Sequence, residues 1–230
     1  TLSKLQKTRV YVNDISVSKA HDVIKATILR DLCRFSESRA LFSKHLNDKK
    51  VWEKYLFGLG YDTTISAAEV HNIYSSYGKT LETSNPSKLI KFDNNRVVFI
   101  SGDVNRSSIS NYLLPMCEAL IKFSDFNPII VYTGTQKDAV TQRYLDLGVK
   151  VLHAPRATTK SLMTVIENVK PYALVDMCGL ARHARPEIFL DTNVERTVSL
   201  PVAHAFSSGN PGIRYHFANE NLLTKGEIDN

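Results

Sequence analysis

Over the first third of the chain, apolar residues recur every three or four positions, a spacing that places them on one face of a helix. The segments with this pattern are residues 20–32, 35–46, 51–59 and 66–77. In the last of them Ser66 precedes Glu69 by the spacing of a capping box, and the pattern stops at Gly78. We therefore predict that residues 1–84 form an all-helical region of short helices joined by brief loops.

From residue 96 onwards the pattern changes to short apolar runs that alternate with helical stretches. The apolar runs are residues 96–100, 128–132, 149–153, 173–177 and 198–204. The helical stretches are residues 111–123, 136–147, 159–169 and 186–191. Continuous apolar runs with β-branched residues are typical of strands buried on both faces, and their alternation with helices predicts βαβ units. The predicted fold class is α/β, a helical N-terminal region followed by a Rossmann-like, doubly wound parallel sheet.

A polar stretch separates the two patterns. Residues 83–87 are rich in Ser, Asn and Pro, which is typical of a loop. We accordingly predict a linker over residues 85–95 and a Rossmann-like lobe over residues 96–230. The helices before the linker are similar in arrangement to degenerate tetratricopeptide-like units, although no strict repeat period is visible.

Composition narrows the class of protein only in part. The chain has 230 residues and a formal net charge of +6, but its basic residues are scattered, so we do not expect binding to nucleic acid. Its longest apolar runs are too short to span a bilayer, and no signal peptide is recognisable. Cys33, Cys117 and Cys178 are widely spaced, which is typical of a reducing compartment and not of a disulfide framework or a metal site. We expect a cytoplasmic protein that holds no metal.

Ligands of doubly wound sheets bind beyond the carboxyl ends of the strands. The segments at such ends are residues 101–110, 133–137, 177–185 and 205–212. The first is rich in hydroxyl groups but has one glycine where a dinucleotide fingerprint has three, so tight pyrophosphate binding is not expected there. Its Asp103 could orient an acceptor hydroxyl or act as a base, or it could cap the turn, and the sequence leaves these interpretations open.

Two other strand-end segments carry candidate binding groups. Asp176 is followed by Arg182, His183 and Arg185, and this set could bind a sugar or an anion, or form a solvated surface. We interpret His183 as an exposed side chain rather than a catalytic one. The glycine-punctuated stretch 206–212 could approach a substrate closely or be a plain loop.

Other residues are interpreted as structural. His153 lies in a predicted strand, where we expect a hydrogen-bonded core group. Trp52, Tyr74 and Tyr77 lie in predicted helices, and we expect their side chains to pack in the interior of the helical region. The Gly-x-Ser-x-Gly pattern of hydrolases is absent from the sequence.

Several motifs occur in a characteristic order. Gly-Tyr-Asp at residues 60–62 precedes the predicted helix that begins at Ser66. The first predicted strand then runs into Ser-Gly-Asp at residues 101–103, and the hydroxyl-rich residues 107–110 follow. In this order they resemble the joint before the catalytic region, and the first catalytic strand, of the SPINDLY and O-GlcNAc transferase family.

Two later motifs extend the resemblance. Leu-Val-Asp-Met-Cys-Gly at residues 174–179, with Arg185 and Phe189 beyond it, is similar to the family's Val-Asp-x-x-Gly segment and the Arg and Phe after it. Residues 206–209 and 213–215 resemble its Gly-Tyr-Pro-x-Thr-x-Gly turn and the Asp-Tyr that follows. The adhesin-glucosylating enzymes, with their all-helical N-terminal domain, have a similar layout.

The resemblance covers most of residues 57–219 and implies one lobe of a GT-B glycosyltransferase, the lobe that shapes the acceptor side. It implies transfer of a sugar from a nucleotide-sugar, here expected to be a UDP-sugar, to a protein or another hydroxyl acceptor. The nucleotide-sugar would be a co-substrate, with no resident cofactor, and would be bound mostly by a second lobe. The helical region would offer a surface to a protein partner.

The resemblance also implies the roles of the site residues. Asp103 would be the catalytic group. The substrate-binding groups would be Ser107, Ser110, Asp176, Gly179, Arg185, Ser207, Ser208 and Gly209.

At two positions the chain departs from the family. Ser107 and Tyr74 stand where the family has histidines, whose imidazoles usually lie near the reacting groups. This departure favours a second hypothesis, a degenerate, non-catalytic lobe that recognises an acceptor or stabilises a catalytic partner. A third interpretation, an unrelated nucleotide-binding Rossmann module, is weakened by the missing glycine fingerprint.

Overall fold

The computed structural model of the chain describes residues 15–81, 88–181, 183–200 and 208–217, without the side chains of residues 15 and 16. The predicted loop at residues 83–87 lies outside these ranges. The chain divides into two compact units, Thr1–Thr80 and Leu81–Asn230. The first of them is helical, and the second contains the sheet.

Helices make up the first unit, as the spacing of its apolar residues predicts. They are α1 (Ile15–Asp31), α2 (Phe35–Phe42), a short 3-10 helix (Ser43–His45), α3 (Lys49–Leu59) and α4 (Ala67–Thr80). The predicted packing of Trp52, Tyr74 and Tyr77 is confirmed, since all three are buried. The ring centroid of Trp52 lies 5.9 Å from that of Tyr55 and 5.8 Å from that of Tyr77. The contact between Trp52 and Tyr77 packs α3 against α4.

The predicted capping box begins α4. The Ser66 hydroxyl accepts a hydrogen bond from the Glu69 amide at 3.3 Å, and the Glu69 carboxylate accepts one from the Ser66 amide at 3.1 Å. The hydrogen bonds from Ser66 lower the pKa of the Glu69 carboxyl. The predicted end at Gly78 is wrong: α4 continues to Thr80, because Gly78 does not take the left-handed conformation that often ends a helix.

A partly buried ion pair joins the loop between α3 and α4 to α2. Asp62, whose side chain is 2% exposed, accepts a hydrogen bond from Arg39 of α2 at 2.7 Å. Its other carboxylate oxygen accepts hydrogen bonds from the Thr64 amide at 2.9 Å and the Thr64 hydroxyl at 2.6 Å. The Asp of the Gly-Tyr-Asp motif therefore has a structural role within the helical unit.

The second unit contains a six-stranded parallel sheet, which confirms the predicted α/β fold class. Its strands are β1 (Arg96–Ser101), β2 (Asn127–Tyr132), β3 (Lys150–His153), β4 (Ala173–Asp176), β5 (Thr197–Ser199) and β6 (Tyr215–His216). The helices between them are α5 (Ser110–Phe123), α6 (Ala139–Asp146), α7 (Thr159–Val169) and α8 (Pro186–Asp191). The strand order is β3-β2-β1-β4-β5-β6, that of a doubly wound Rossmann fold.

The central strand β1 is buried on both faces, which explains its continuous apolar run. Val97 and Phe99 pack in a cluster with apolar residues of α5 and α6. Val98 and Ile100 point to the opposite face and pack in a second cluster with residues of α7 and α8. Full burial of one such side chain stabilises the fold by about 1.5–3 kcal/mol. The four buried side chains together anchor β1 in the sheet and so position the turn that follows its carboxyl end.

Among the boundaries of the sheet unit that differ from the prediction, two have a clear local cause. α6 begins at Ala139, not at residue 136, because Asp138 is extended and caps the helix with its carboxylate. β4 ends at Asp176, not at residue 177, because the Asp176 carboxylate accepts hydrogen bonds from amides that follow it and turns the chain. The predicted bounds of α7 and α8 are confirmed.

Two short strands complete the sheet. β5 has three residues, whereas the sequence predicts a strand over residues 198–204, of which residues 201–204 lie outside the described part of the chain. β6 has two residues and is not predicted from the sequence, because so short a strand leaves no apolar alternation to detect.

The segment before β1 is bonded to the sheet unit. Ile90 forms a parallel bridge with Val194. Its amide donates to the Asn193 carbonyl at 2.7 Å, and its carbonyl accepts from the Glu195 amide at 3.0 Å. These bonds attach part of the predicted linker to the segment that leads into β5.

The turns that follow β1 and β2 touch at a glycine. A Cβ placed on Gly134 would overlap the carbonyl oxygen of Gly102 and lie 2.5 Å from Cε2 of Tyr132. We expect Gly134→Ala to lower the free energy of unfolding by about 1–3 kcal/mol in urea denaturation, because the backbone must shift to relieve the overlap.

Gly58→Ala in α3 is the matched control. There the added methyl group meets the flexible side chain of Arg30 at 3.2 Å, and alanine is the better helix former, so the variant should be neutral or slightly stabilised. Equal denaturation midpoints for Gly134→Ala and the parent protein would show that the two turns do not depend on this close approach.

Candidate functional site

The carboxyl ends of β1 and β4 meet where the sheet changes its direction of winding. β1 pairs with β2 on one side and with β4 on the other, and both pairings are parallel. In open α/β sheets a crevice forms at this point, and ligands bind there. The turns at residues 101–110 and 176–179 leave the sheet at this edge.

Hydroxyl groups fold the turn that follows β1. The Ser101 hydroxyl accepts a hydrogen bond from the Asp103 amide at 3.1 Å. The Asp103 carbonyl accepts hydrogen bonds from the hydroxyls of Ser107 at 3.2 Å and Ser110 at 3.1 Å. The Ser107 hydroxyl also accepts from the Ser110 amide at 3.2 Å, and Ser110 is buried. Ser107 and Ser110, to which the resemblance assigns substrate binding, thus fold the turn that leads into α5.

The carboxylate of Asp103 takes no part in this turn. Asp103 is half-buried, and no hydrogen bond from the described residues reaches its side chain. The interpretation of Asp103 as a side-chain cap is therefore wrong, since its own amide and carbonyl make the capping contacts. A carboxylate held on an ordered turn at the end of β1 can accept a hydrogen bond from a hydroxyl group of a bound molecule.

Asp138 clamps the outer part of the same turn. One carboxylate oxygen accepts a hydrogen bond from the Arg106 amide at 2.7 Å, and the other accepts from the amides of Val140 and Thr141 at 2.9 and 3.2 Å. The Thr141 hydroxyl donates to the Val104 carbonyl at 2.6 Å. The hydrogen bond from Arg106 is the main cause of the lowered pKa of Asp138. The first turn of α6 thus holds the loop that carries Asp103.

A second turn, at the end of β4, is built around Asp176. Asp176 is buried, and one carboxylate oxygen accepts hydrogen bonds from the amides of Cys178 at 2.8 Å and Gly179 at 3.1 Å. Gly179 has a φ of 55°, a left-handed conformation that suits glycine. Asp176 and Gly179, both predicted to bind substrate, therefore shape this turn.

The Cys178 thiol joins the two turns, a contact that the sequence does not predict. Its sulfur accepts a hydrogen bond from the Gly102 amide at 3.0 Å. Cys178 is buried, and burial raises the pKa of its thiol, so the group stays protonated at neutral pH. No local pattern signals this contact, because it depends on the pairing of β1 with β4.

The loop from β4 to α8 is anchored on the end of β2. The Thr133 hydroxyl donates to the His183 carbonyl at 3.0 Å and lies 3.2 Å from the Ser101 carbonyl. Arg185 donates to the carbonyls of Ala184 at 2.9 Å and His183 at 3.3 Å. His183 is half-buried, so its interpretation as an exposed side chain is wrong. The predicted basic cluster of this loop also includes residue 182, which lies outside the described residues.

The stretch before β6 packs against the start of α8. The Ser208 hydroxyl accepts a hydrogen bond from the Asn210 amide at 3.0 Å, and the Asn210 side chain donates to the Pro186 carbonyl at 3.0 Å. Gly209 between them has a φ of 63°. Within residues 208–212, these contacts are those of a loop whose own side chains determine its conformation. Ser207, the remaining predicted binding residue, lies outside the described part of the chain.

Ser107 and Tyr74, which stand where the transferases that the sequence resembles have histidines, offer no proton-transfer group. The Ser107 hydroxyl is hydrogen-bonded within the turn before α5, as described above. Tyr74 is buried in the helical unit, its hydroxyl donates to the Leu56 carbonyl at 3.4 Å, and burial raises its pKa to about 12. His153 is hydrogen-bonded through Nε2 to the Gly134 carbonyl at 3.0 Å, which confirms the predicted hydrogen bond, but the residue is half-buried and not part of the core.

An apolar groove of about 740 Å³ lies on the face of the sheet between β4, β5, β6 and α5. Its walls include Val175, Val198 and Phe217. Arg196 also lines it, but its guanidinium lies 3.9 Å from the Tyr172 ring and donates to the carbonyls of Phe92 and Tyr172. The groove lacks converging polar groups of the kind a group-transfer site needs. The carboxyl edge is therefore the better candidate site.

Within the described ranges, no group of three or more His, Cys, Asp or Glu side chains could hold a metal ion. Likewise, none of the helices described there has the length and apolar character needed to cross a bilayer.

Comparison with solved structures finds a similar fold in a variant of the O-GlcNAc transferase from Thermobaculum terrenum, with a TM-score of 0.81 at 15% sequence identity. The similarity covers 92% of this chain and 42% of that one, so the chain spans less than half the length of the transferase. No protein-family model matches the sequence, and a search of curated proteins gave no match. The chain thus has the fold of a helical region and one Rossmann-like lobe, similar to the part of that O-GlcNAc transferase which it covers.

Asp138→Ala should loosen the turn that carries Asp103. With the clamp removed, we expect faster hydrogen exchange at the Arg106 amide, measured by NMR or mass spectrometry. The clamp is fully present above about pH 4 and is lost as the pH falls through the lowered pKa of Asp138. The protection of the Arg106 amide relative to its intrinsic exchange rate should therefore decrease only in acid.

Asp146→Ala removes an exposed carboxylate from the same helix and is the control. Its side chain accepts a hydrogen bond from Gln142 alone among the described residues, so exchange at Arg106 should stay at the parent rate. An unchanged Arg106 rate in Asp138→Ala as well would mean that the clamp does not order the turn.

Proposed function

We propose that the chain is the acceptor-side lobe of a glycosyltransferase that transfers a sugar from a nucleotide-sugar, a UDP-sugar, to a protein or another hydroxyl acceptor. The observation that carries this proposal is the Asp103 carboxylate. It is half-buried at the β1–β4 switch point, on a turn fixed by Ser107, Ser110 and Asp138, and no described group is hydrogen-bonded to it. The O-GlcNAc-transferase-like fold supports the same reaction class.

In this proposal Asp103 orients the acceptor hydroxyl and takes its proton. The hydroxyl oxygen forms a bond to the anomeric carbon of the sugar, while the bond from that carbon to the phosphate oxygen breaks. The nucleoside diphosphate leaves with the electron pair of the broken bond. Its charge needs cationic groups or helix N-termini, which a second lobe would supply.

The neighbouring turns would shape the acceptor side. Gly179 and Gly209, both in the left-handed conformation, would let the backbone of their turns come close to the acceptor. Arg185 is half-buried, and one terminal nitrogen of its guanidinium donates to two carbonyls of its own loop. In this proposal the guanidinium would face the donor.

The alternative proposal is a degenerate, non-catalytic lobe that recognises an acceptor or supports a catalytic partner. Its specific support is the absence of an imidazole at positions 107 and 74 and the use of the Ser107 hydroxyl within its own turn. Under this alternative, the Asp103 carboxylate would bind an acceptor hydroxyl without a transfer step.

Sugar transfer by the full native chain separates these two functions. UDP-GlcNAc, UDP-glucose and GDP-fucose, each with a radiolabelled sugar, would be incubated with the protein and a serine- and threonine-containing peptide library. Incorporation of label would support the transferase. No turnover, together with no nucleotide binding in calorimetry, would contradict it and leave the non-catalytic lobe.

Asp103→Asn should abolish transfer without unfolding the protein. The amide keeps the size of the carboxylate but cannot take a proton, and no described hydrogen bond is lost with it. Asp125→Asn, at the opposite edge of the sheet just before β2, is the control and should transfer at the parent rate. If Asp103→Asn keeps the parent kcat at an unchanged melting temperature, Asp103 is not the catalytic group.

A further inference from the structure

Thr133 follows β2 directly and is fully buried at the carboxyl edge of the sheet. Its amide donates to the Ser101 carbonyl at 2.9 Å, which continues the pairing of β2 with β1 by one residue. Its hydroxyl donates to the His183 carbonyl at 3.0 Å and lies 3.2 Å from the Ser101 carbonyl. The side chain of Thr133 therefore ties the loop between β4 and α8 to the end of β1.

The two carbonyls next to this hydroxyl belong to the segments that carry proposed site residues. Ser101 lies two residues before Asp103, and its own hydroxyl accepts a hydrogen bond from the Asp103 amide at 3.1 Å. His183 lies two residues before Arg185, whose guanidinium donates to the His183 carbonyl at 3.3 Å. Hydrogen bonds thus connect the Asp103 turn, through Thr133, to Arg185.

The backbone of the loop is held in a conformation that it does not favour. His183 has a φ of 72°, within a turn closed by a hydrogen bond from the Ala184 amide to the Ala181 carbonyl at 3.2 Å. A positive φ at this position of a turn favours glycine or asparagine, because a Cβ approaches the following carbonyl oxygen. Such a conformation persists where surrounding contacts enforce it, and the Thr133 hydroxyl supplies one of these contacts.

Neither carbonyl needs the Thr133 hydroxyl to be hydrogen-bonded. The Ser101 carbonyl already accepts the Thr133 amide, and the His183 carbonyl already accepts Arg185. A valine has nearly the same shape and would be buried at lower cost, because a buried hydroxyl loses its hydration. What the hydroxyl adds is a fixed distance between two backbone segments that are 50 residues apart in the sequence.

We propose that Thr133 is a positioning residue of the transferase, whose hydroxyl holds the Asp103 turn and the Arg185 loop at a fixed distance. This inference rests on the proposed function, in which Asp103 orients the acceptor and Arg185 faces the donor. Transfer requires the acceptor oxygen and the anomeric carbon to meet in one geometry, and a misplacement of about 1 Å lowers a rate by as much as about 100-fold. Because Thr133 is fully buried, it acts through these two residues and not by contact with either substrate.

Substitutions that keep or remove the hydroxyl test this role in the full native chain, with an active UDP-sugar and its peptide acceptor. Thr133→Val keeps the shape of the side chain and the backbone bond to Ser101, and it should lower kcat by about ten- to 100-fold. Both KM values should change by less than about threefold, because no contact with a substrate is lost. Thr133→Ser keeps the hydroxyl, so its kcat should stay within about twofold of the parent value, although the lost methyl group lowers the melting temperature.

Thr133→Ala separates the effect of the hydroxyl from that of stability. It lacks both the hydroxyl and the methyl group, so it should combine the low kcat of Thr133→Val with a lower melting temperature. The comparison of Thr133→Ala with Thr133→Ser gives the same answer if Thr133→Val does not fold. A kcat that follows the melting temperature through these variants, and not the hydroxyl, would overturn the proposal, as would a folded Thr133→Val with the parent kcat.

Thr192→Val is the matched control, because it removes the hydroxyl of another fully buried threonine, in the segment that leads from α8 towards β5. The Thr192 hydroxyl accepts a hydrogen bond from the Val194 amide at 3.3 Å, and the substitution takes this partner away. The variant should therefore have a lower melting temperature and the parent kcat. A loss of kcat in Thr192→Val as large as that in Thr133→Val would contradict the proposal.

Failure of the proposed function gives a different result. The parent protein would then transfer sugar from none of the UDP-sugars, and the role of Thr133 would fall with that function. An active parent protein with an unaffected Thr133→Val variant would overturn the role of Thr133 alone.

Discussion

The parallel pairing of β1 with both β2 and β4 is the constraint on which the rest of the structure depends. It buries β1 between two apolar clusters and fixes the direction in which its carboxyl end leaves the sheet. It also brings the ends of three strands to one edge. The candidate site is made of the turns that follow these strands, so its geometry is a consequence of the sheet.

Few side chains at this edge are available for chemistry, because most of them hold the turns together. The hydroxyls of Ser107 and Ser110 bond to the Asp103 carbonyl, and one oxygen of Asp176 bonds to the amides after it. Asp138 bonds to the Arg106 amide. What these contacts order is the turn that carries Asp103, whose own carboxylate they do not use. This division between supporting groups and one presented group is typical of preorganised sites.

The sequence predicts the elements of the fold well, because helices and buried strands differ in the period of their apolar residues. It also predicts the capping box at Ser66. The start of α6 is missed since residues 136–138 fit a helical pattern, although Asp138 with Thr141 three positions later is itself a capping signal that could have placed it. β6 is missed because it depends on its neighbour β5 rather than on its own residues.

The sequence predicts where the candidate site lies in the fold, but not which contacts its residues make. That Asp103 lies at a strand end follows from the apolar run before it, but the roles of its neighbours do not. The contact of Cys178 with Gly102 and that of Thr133 with His183 join residues far apart in the sequence, and they exist only once the strands pair. The positive φ of His183 likewise has no signal in the residue type, because the turn favours glycine or asparagine.

A crystal structure of the full native chain with UDP and a peptide acceptor tests the account most directly. The account predicts an acceptor hydroxyl within about 2.6–3.2 Å of the Asp103 carboxylate, at the carboxyl ends of β1 and β4. An acceptor bound elsewhere, for example in the apolar groove beside β5 and α5, with Asp103 facing only solvent, would contradict it.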